Sequence, residues 1–263
     1  MTKVLIRGAG DLATGIAWRL YRCGFQILMT ETARPTMVRR TVAFSNAVYE
    51  GSMEVEGVTA RLVSDESQAD QAFAKGEIPI VIDEDAAAKT WYRPEILVDA
   101  IIAKKNLGTR IDDASLVIGV GPGFTAGEDC HLVVETKRGH TLGRVIESGS
   151  AIPNTGVPGS VGGFTIERLI KANAPGTFTP HVSIGDFVKN GQVVAESGGV
   201  PILAQMDGLV RGMLYPGLTV TTGMKCGDID ARCEKENCFT ISDKALSIGG
   251  GVLEGILYFQ QKQ

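Results

Sequence analysis

Two short apolar runs, Val4–Ile6 and Phe25–Met29, flank a stretch in which apolar residues from Leu12 to Cys23 recur at helical spacing, with glycines at the first join. This order of strand, glycine turn, helix and strand constrains the fold more than any other feature, because a helix that returns the chain beside its first strand builds a parallel sheet. In "RGAGDLATG", Gly8 and Gly10 form G-x-G directly after the first run, and Ala13 stands where such a fingerprint takes glycine or alanine. Gly8 permits the tight turn, Gly10 lets backbone N–H groups approach a pyrophosphate, and a small Ala13 lets the helix pack closely. Glu31 closes the second run at the spacing of an acid that accepts a ribose hydroxyl. Asp11, Thr14 and Gly15 complete the candidate cofactor-binding set. The Asp11 carboxylate also fits a plain helix cap that would repel a phosphate, so a nucleotide cradle and a capped glycine turn both remain open.

Further apolar runs in "IPIVID", "ILVDAIIA" and "SLVIGV" extend the pattern, while "MEVEGVTARLV" alternates like a hairpin or an edge strand. Together they predict an α/β, Rossmann-like, doubly wound parallel sheet over residues 1–120. From Gly121 helical periodicity nearly vanishes, and residues 121–175 read as a β-rich, glycine-containing connecting region. "GDFVKNG" and "GLTVTTG" repeat a G-x-x-V-x-x-G pattern, which predicts a duplicated, mostly β barrel-sandwich-like module over residues 176–232. That module resembles a biotinyl or lipoyl carrier, but the connection "AESGGVPILAQ" holds no lysine, which disfavours a swinging arm. Residues 233–263 are expected to form a C-terminal helical segment capped by Ser242 and weakened or interrupted at Gly249–Gly251.

The 263 residues carry a formal net charge of -4, and their basic residues are scattered, so nothing marks a nucleic-acid or anionic-membrane partner. No apolar run approaches the length of a membrane span and no secretory leader is apparent, which predicts a cytoplasmic protein. Five cysteines in a chain of this length favour reduced thiols over a disulfide framework, and Cys233 and Cys238 in "CEKENC" read as thiols too.

Candidate pocket residues fall in three stretches. Arg34 follows the second run, with Arg39 and Arg40 beyond it, where an adenosine or a further phosphate would lie. Asp99 ends a buried strand and is followed by Lys104, Asn106 and Thr109. "GVGPGFTAGEDCHLVVETKRGH" concentrates Asp129, His131, Glu135 and His140, but no spacing there matches a metal-ligand framework, so no metal is assigned. The same residues fit a polar patch for a substrate or partner, and no catalytic group declares itself.

Across the chain, "IRGAGDLATGIAWRLYRCGF", "VDAIIAKKNLGTR", "GPGFTAGEDCHLVVETKRGH", "LGRVI", "PNTGVPG", "CGDIDAR" and "SDKALSIGGGVLEGIL" resemble the YqeB-type family of selenium-dependent molybdenum hydroxylase accessory proteins, and more distantly XdhC-type proteins. The resemblance implies a maturation role for a molybdenum hydroxylase apoenzyme: binding or handling molybdopterin dinucleotide, or its labile selenium. The turn at Gly8 and Gly10 with Glu31 suits the pyrophosphate and ribose of such a dinucleotide. The alternatives are an NAD-dependent oxidoreductase, with NAD as cofactor, and a non-catalytic partner-docking module.

Overall fold

The computed structural model describes residues 1–154, 156 and 162–262; part of the "PNTGVPG" stretch therefore lies outside the described residues. The chain divides into two compact units, one of Met1–Pro35, Ala43–Thr155 and Ile241–Gln263, the other of Thr36–Val42 and Gly156–Thr240.

The first unit contains strands β1 (Lys3–Arg7), β2 (Gln26–Glu31), β3 (Ser52–Val55), β4 (Val58–Val63), β5 (Ile78–Ile82), β6 (Ile96–Asp99), β7 (Leu116–Val120), β8 (Thr125–Ala126), β9 (Leu132–Val134), β10 (Val145–Ile146) and β11 (Gly149–Ser150). Its helices are α1 (Asp11–Arg22), α2 (Ala47–Glu50), α3 (Glu66–Ala74), α4 (Lys89–Tyr92) and α5 (Asp243–Gln260). Nine strands form one sheet in the order β10-β9-β7-β6-β1-β2-β5-β4-β3. The pairs from β9 through β4 are parallel, whereas β10 on β9 and β3 on β4 are antiparallel. Apolar runs such as Val4–Ile6 and Val117–Ile118 are fully buried, as strands covered on both faces must be.

The expected Rossmann-like, doubly wound parallel sheet followed by a biotinyl/lipoyl-like barrel-sandwich module is thereby corrected. The sheet is mixed and runs past residue 120 to Ile146, and the remaining strands lie in separate antiparallel sheets. The physical reason lies in the connections. A tight Glu56–Gly57 turn, both residues at positive φ, folds β3 back on β4, and β6 reaches β7 through loop and a short 3-10 turn instead of a crossover helix. Apolar runs announce strands; they do not announce strand direction.

In the second unit, β12 (Leu169–Lys171), β13 (Gly176–Pro180), β14 (Phe187–Val188), β15 (Val193–Ser197), β16 (Val200–Leu203), β17 (Gly208–Met213), β18 (Thr219–Val220) and β19 (Lys225–Asp230) form two four-stranded antiparallel sheets. Their orders are β12-β19-β17-β14 and β16-β15-β13-β18. Phe178, Val188, Val194 and Val210 are buried in this unit, and buried Asp228 pairs with Arg168.

Helix α5 is continuous through Gly249–Gly251, which do not interrupt it. A Cβ at Gly249 would meet the Gly15 carbonyl oxygen at 2.8 Å, and one at Gly251 would strike the Gly143 carbonyl. The glycines let α5 lie against α1 and the loop before β10, and this burial offsets their low helix propensity of about 1 kcal/mol each. Ser242 caps α5 as expected, accepting from the Ala245 N–H at 3.2 Å.

Candidate functional site

The order in which strands join the sheet reverses at β1, which pairs in parallel with β2 on one side and β6 on the other, so the carboxyl ends of β1 and β6 border a crevice of the kind that takes ligands in open sheets. Gly8 sits there at φ +90°, and a Cβ on it would lie 3.0 Å from the Ala100 carbonyl oxygen. Only glycine serves both the backbone angle and this approach. Beneath it, the buried Arg7 guanidinium meets Asp99 at 3.2 Å and Thr109 Oγ1 at 2.5 Å, and Thr109 Oγ1 donates to Asp99 at 2.6 Å. Burial pushes the Asp99 carboxyl up, against the hydrogen bond from Thr109 and the charge of Arg7. Asn106 closes the loop onto this cluster, donating to the Thr109 carbonyl and accepting from the Thr109 N–H, both at 2.8 Å. Asp99, Asn106 and Thr109 thus come together around Arg7.

The segments after β6, β7, β9 and β11 and the first turn of α5 line a cleft of about 180 Å³. Its walls are Ile102, Lys104, Pro122, Thr136, Lys137, Ile152, Pro153, Asn154 and Lys244. Three of these side chains are lysines, and none is an acid. Ile102 and Lys104 hold φ of 61° and 64°, a left-handed backbone that costs non-glycine residues roughly 1 to 3 kcal/mol each. The surrounding contacts enforce it: a Cβ at Gly123 would fall 2.6 Å from the Lys105 backbone, so the two loops touch main chain to main chain. Buried Glu135 pins the far wall, accepting N–H bonds from Thr136 and Lys137 at 2.7 Å and from Ile152 at 2.8 Å. Lys244 is half-buried and in the first turn of α5; burial holds its ammonium below its ordinary range, against the charge of Asp11. Neither Lys137 nor Lys244 makes a side-chain hydrogen bond or ion pair among the described residues.

At the start of α1, Gly10 has φ -65° and open space where a Cβ would stand. Asp11 opens the helix near Lys244. Ala13 and Thr14 are buried, Thr14 Oγ1 accepting from the Phe44 N–H at 2.8 Å, and Gly15 lies against Ala245. The Glu31 carboxylate turns inward to accept from the Ala9 N–H at 2.9 Å and the Thr32 N–H at 2.8 Å, and burial pushes its pKa up. Arg34 is exposed.

The third stretch disperses. His131 lies before β9, its Nδ1 accepting from the Val117 N–H at 3.0 Å and its ring edge-on to Phe259, while Glu135 follows β9 at the other end. Asp129 accepts from the Thr125 N–H at 2.8 Å and from Asn106 at 3.2 Å, and His140 is exposed. Among the described residues no group of three His, Cys, Asp or Glu side chains could hold a metal ion. Sequence reading reached Lys104 but missed Lys137 and Lys244. The available signal was Lys244 itself, a cation one residue into a Ser242-capped helix, at the end whose dipole disfavours positive charge.

No protein-family model matches the chain. It is 51% identical over 254 residues to the uncharacterized protein YqeB of Escherichia coli (strain K12), a match that takes in 97% of this chain and 47% of that protein. A YqeB-type family is supported. The chain spans about half the length of this YqeB relative. Among solved structures, an aspartoacylase family protein of Mesorhizobium loti shows 12% identity and a TM-score of 0.25, covering 87% of this chain and 84% of that one. The ectoine utilization protein EutE (DoeB) of Ruegeria pomeroyi gives 11%, 0.27, 87% and 85%, and a succinylglutamate desuccinylase of Silicibacter gives 11%, 0.26, 87% and 84%. These names are of acylase, desuccinylase and ectoine-utilization proteins, and the expected maturation role with molybdenum cofactor or selenium finds no support among them, nor do its oxidoreductase and docking-module alternatives. Likeness at these TM-scores assigns no activity to the chain. No helix among the described residues is long and apolar enough to cross a membrane.

Proposed function

We propose that this YqeB-type chain binds a small anion, phosphate- or carboxylate-bearing, in the cleft over the carboxyl ends of β6, β7 and β9. The observation that carries this reading is the charge of the walls: Lys104, Lys137 and Lys244 line the cleft without an acidic side chain, in a chain whose net charge is -4. Opposite unit charges 4 Å apart attract by about 4 kcal/mol at the effective dielectric of a partly exposed site, so lysine side chains on the walls favour an anion over a neutral ligand. The strained backbone at Ile102 and Lys104 supports the same place, since strain of this kind is kept where it positions a ligand group. At about 180 Å³ the cleft is smaller than the roughly 300 to 1,000 Å³ of sites that enclose drug-sized ligands, which fits a small anion or the charged end of a larger one.

A thermal melt with inorganic phosphate, pyrophosphate and malonate tests the reading. Binding at a hundred times Kd adds about 2.7 kcal/mol of stability, a readily measured rise in Tm. Reversing one exposed wall charge with Lys137→Glu removes the rise; an equal rise in that variant contradicts the site.

A further inference from the structure

We propose that the ligand of this cleft is an organic anion with a short aliphatic chain, its phosphate or carboxylate held by the lysines and its carbons packed on the apolar walls, and that Ile102 selects for the carbon part. The inference rests on the anion-binding reading and names the class of anion. Its basis is the other half of the lining. Besides Lys104, Lys137 and Lys244, the walls present Ile102, Pro122, Ile152 and Pro153. An anion with oxygens on every side would turn some of them toward these side chains, which offer no hydrogen bond, and a polar group withdrawn from water without one is disfavoured. A carbon chain in the same place gains by leaving water.

The main chain holds three of these apolar residues in place. Pro122 stands between Gly121 at φ +82° and Gly123 at φ +112°. A Cβ on Gly121 would lie 2.7 Å from Thr136 Oγ1, and one on Gly123 would lie 2.6 Å from the Lys105 backbone, so the loop that carries Pro122 rests directly on its neighbours. Ile152 donates its N–H to the buried Glu135 carboxylate at 2.8 Å, and the same carboxylate accepts from Thr136 and Lys137, which ties Ile152 to them. The Ile152 side chain is 40% exposed, an apolar surface that the fold leaves uncovered.

Ile102 is the strained member of the set. At φ 61° its backbone is left-handed, a region that glycine and asparagine enter readily and a β-branched residue rarely does. An isoleucine there suits its own backbone poorly while giving the wall a branched apolar side chain, which is the pattern expected where a side chain serves a ligand. A headgroup and a few carbons fill a cleft of about 180 Å³, so longer chains gain nothing further.

Two ligand series test this on the whole protein: inorganic phosphate with methyl, ethyl, propyl and butyl phosphate, and formate with acetate, propionate, butyrate and pentanoate. Affinity measured from thermal melts is expected to rise about fourfold with each added methylene and to level off once the cleft is filled. The tighter-binding series identifies the headgroup. In that series, Ile102→Asn lowers the affinity gained between the shortest and the longest member about tenfold, roughly the worth of two methylene contacts. Asparagine accepts positive φ and so keeps the variant folded. Ile152→Ser, at the exposed wall residue, lowers the same gain and serves in its place if Ile102→Asn fails to fold. Affinity that does not grow with chain length, in a protein whose Tm still rises with inorganic phosphate, overturns the aliphatic ligand and leaves the anion site standing. A chain-length gain undiminished in folded Ile102→Asn overturns the selecting role of Ile102. No rise in Tm with any member of either series overturns both the ligand class and the anion site.

Discussion

Gly15 of α1 and Ala245 of α5 meet at a point where neither has room to grow: a Cβ on Gly15 would lie 2.7 Å from the Ala245 Cβ. The same α1 segment carries Gly10, where a Cβ would meet nothing within 4 Å and φ is an ordinary -65°. The two glycines of one motif therefore do different work. Gly15→Val is expected to destabilise by about 1 to 3 kcal/mol through overpacking. Gly10→Val costs less than about 1 kcal/mol, the price of a poorer helix cap. Urea midpoints at constant m-value measure both; equal losses would show that the α1–α5 contact does not limit Gly15.

This contrast bears on what the sequence reveals. The alternation of strand, turn and helix around Gly8 was legible because apolar periodicity reports burial, and Gly8 at φ +90° answers to the predicted tight turn. Strand direction at the edges was not legible, because "MEVEGVTARLV" reads as a hairpin or an edge strand without saying where in the sheet it falls. Gly249–Gly251 misled for a related reason. Helix propensity is a local quantity, whereas the benefit of those glycines comes from Gly15 and Gly143, more than 100 positions away in sequence. The cleft was half legible. Lys104 was named beside Asp99, but Lys137 and Lys244 reach it from β9 and α5, and only the folded chain brings those ends together.

Asp99 accepts from Arg7, Thr109 and the Ile101 N–H in a region closed to water. Asp99→Ala leaves the Arg7 guanidinium buried without its counter-charge and is expected to cost about 3 to 5 kcal/mol by chemical denaturation. A loss below about 1 kcal/mol would mean that Arg7 finds another partner or that water enters.

Burial raises the Glu31 pKa above its ordinary value of 4.5, despite hydrogen bonds from Thr32 and Ala9. Between the unfolded and the folded pKa the native state holds a proton that the unfolded state has released, so the site's contribution to stability is full below about pH 4.5 and lost as pH rises through the folded value. Glu31→Gln removes this titration. The stability of the native protein minus that of Glu31→Gln should fall as pH rises from about 4 and then level off. A difference that grows with pH contradicts the shift.

Burial pushes the thiols of Cys130 and Cys226 up to about 11, and that of Cys238 above its usual range, while Cys23 and Cys233 are exposed. An aromatic disulfide reagent at mild alkaline pH is expected to titrate two thiols in the native protein and five after denaturation. A third fast-reacting thiol would locate an opening in one of the two units.

The central claim is that an anion rests among Lys104, Lys137 and Lys244, and diffraction from a crystal soaked in arsenate locates such an anion directly. The soak uses a concentration that raises the melting temperature in solution, so that occupancy is expected on independent grounds. The account predicts an arsenic anomalous peak within hydrogen-bonding reach of those three amines, lost in Lys137→Glu crystals. A map whose strongest arsenic peak lies elsewhere on the molecule, with the cleft empty, would contradict it.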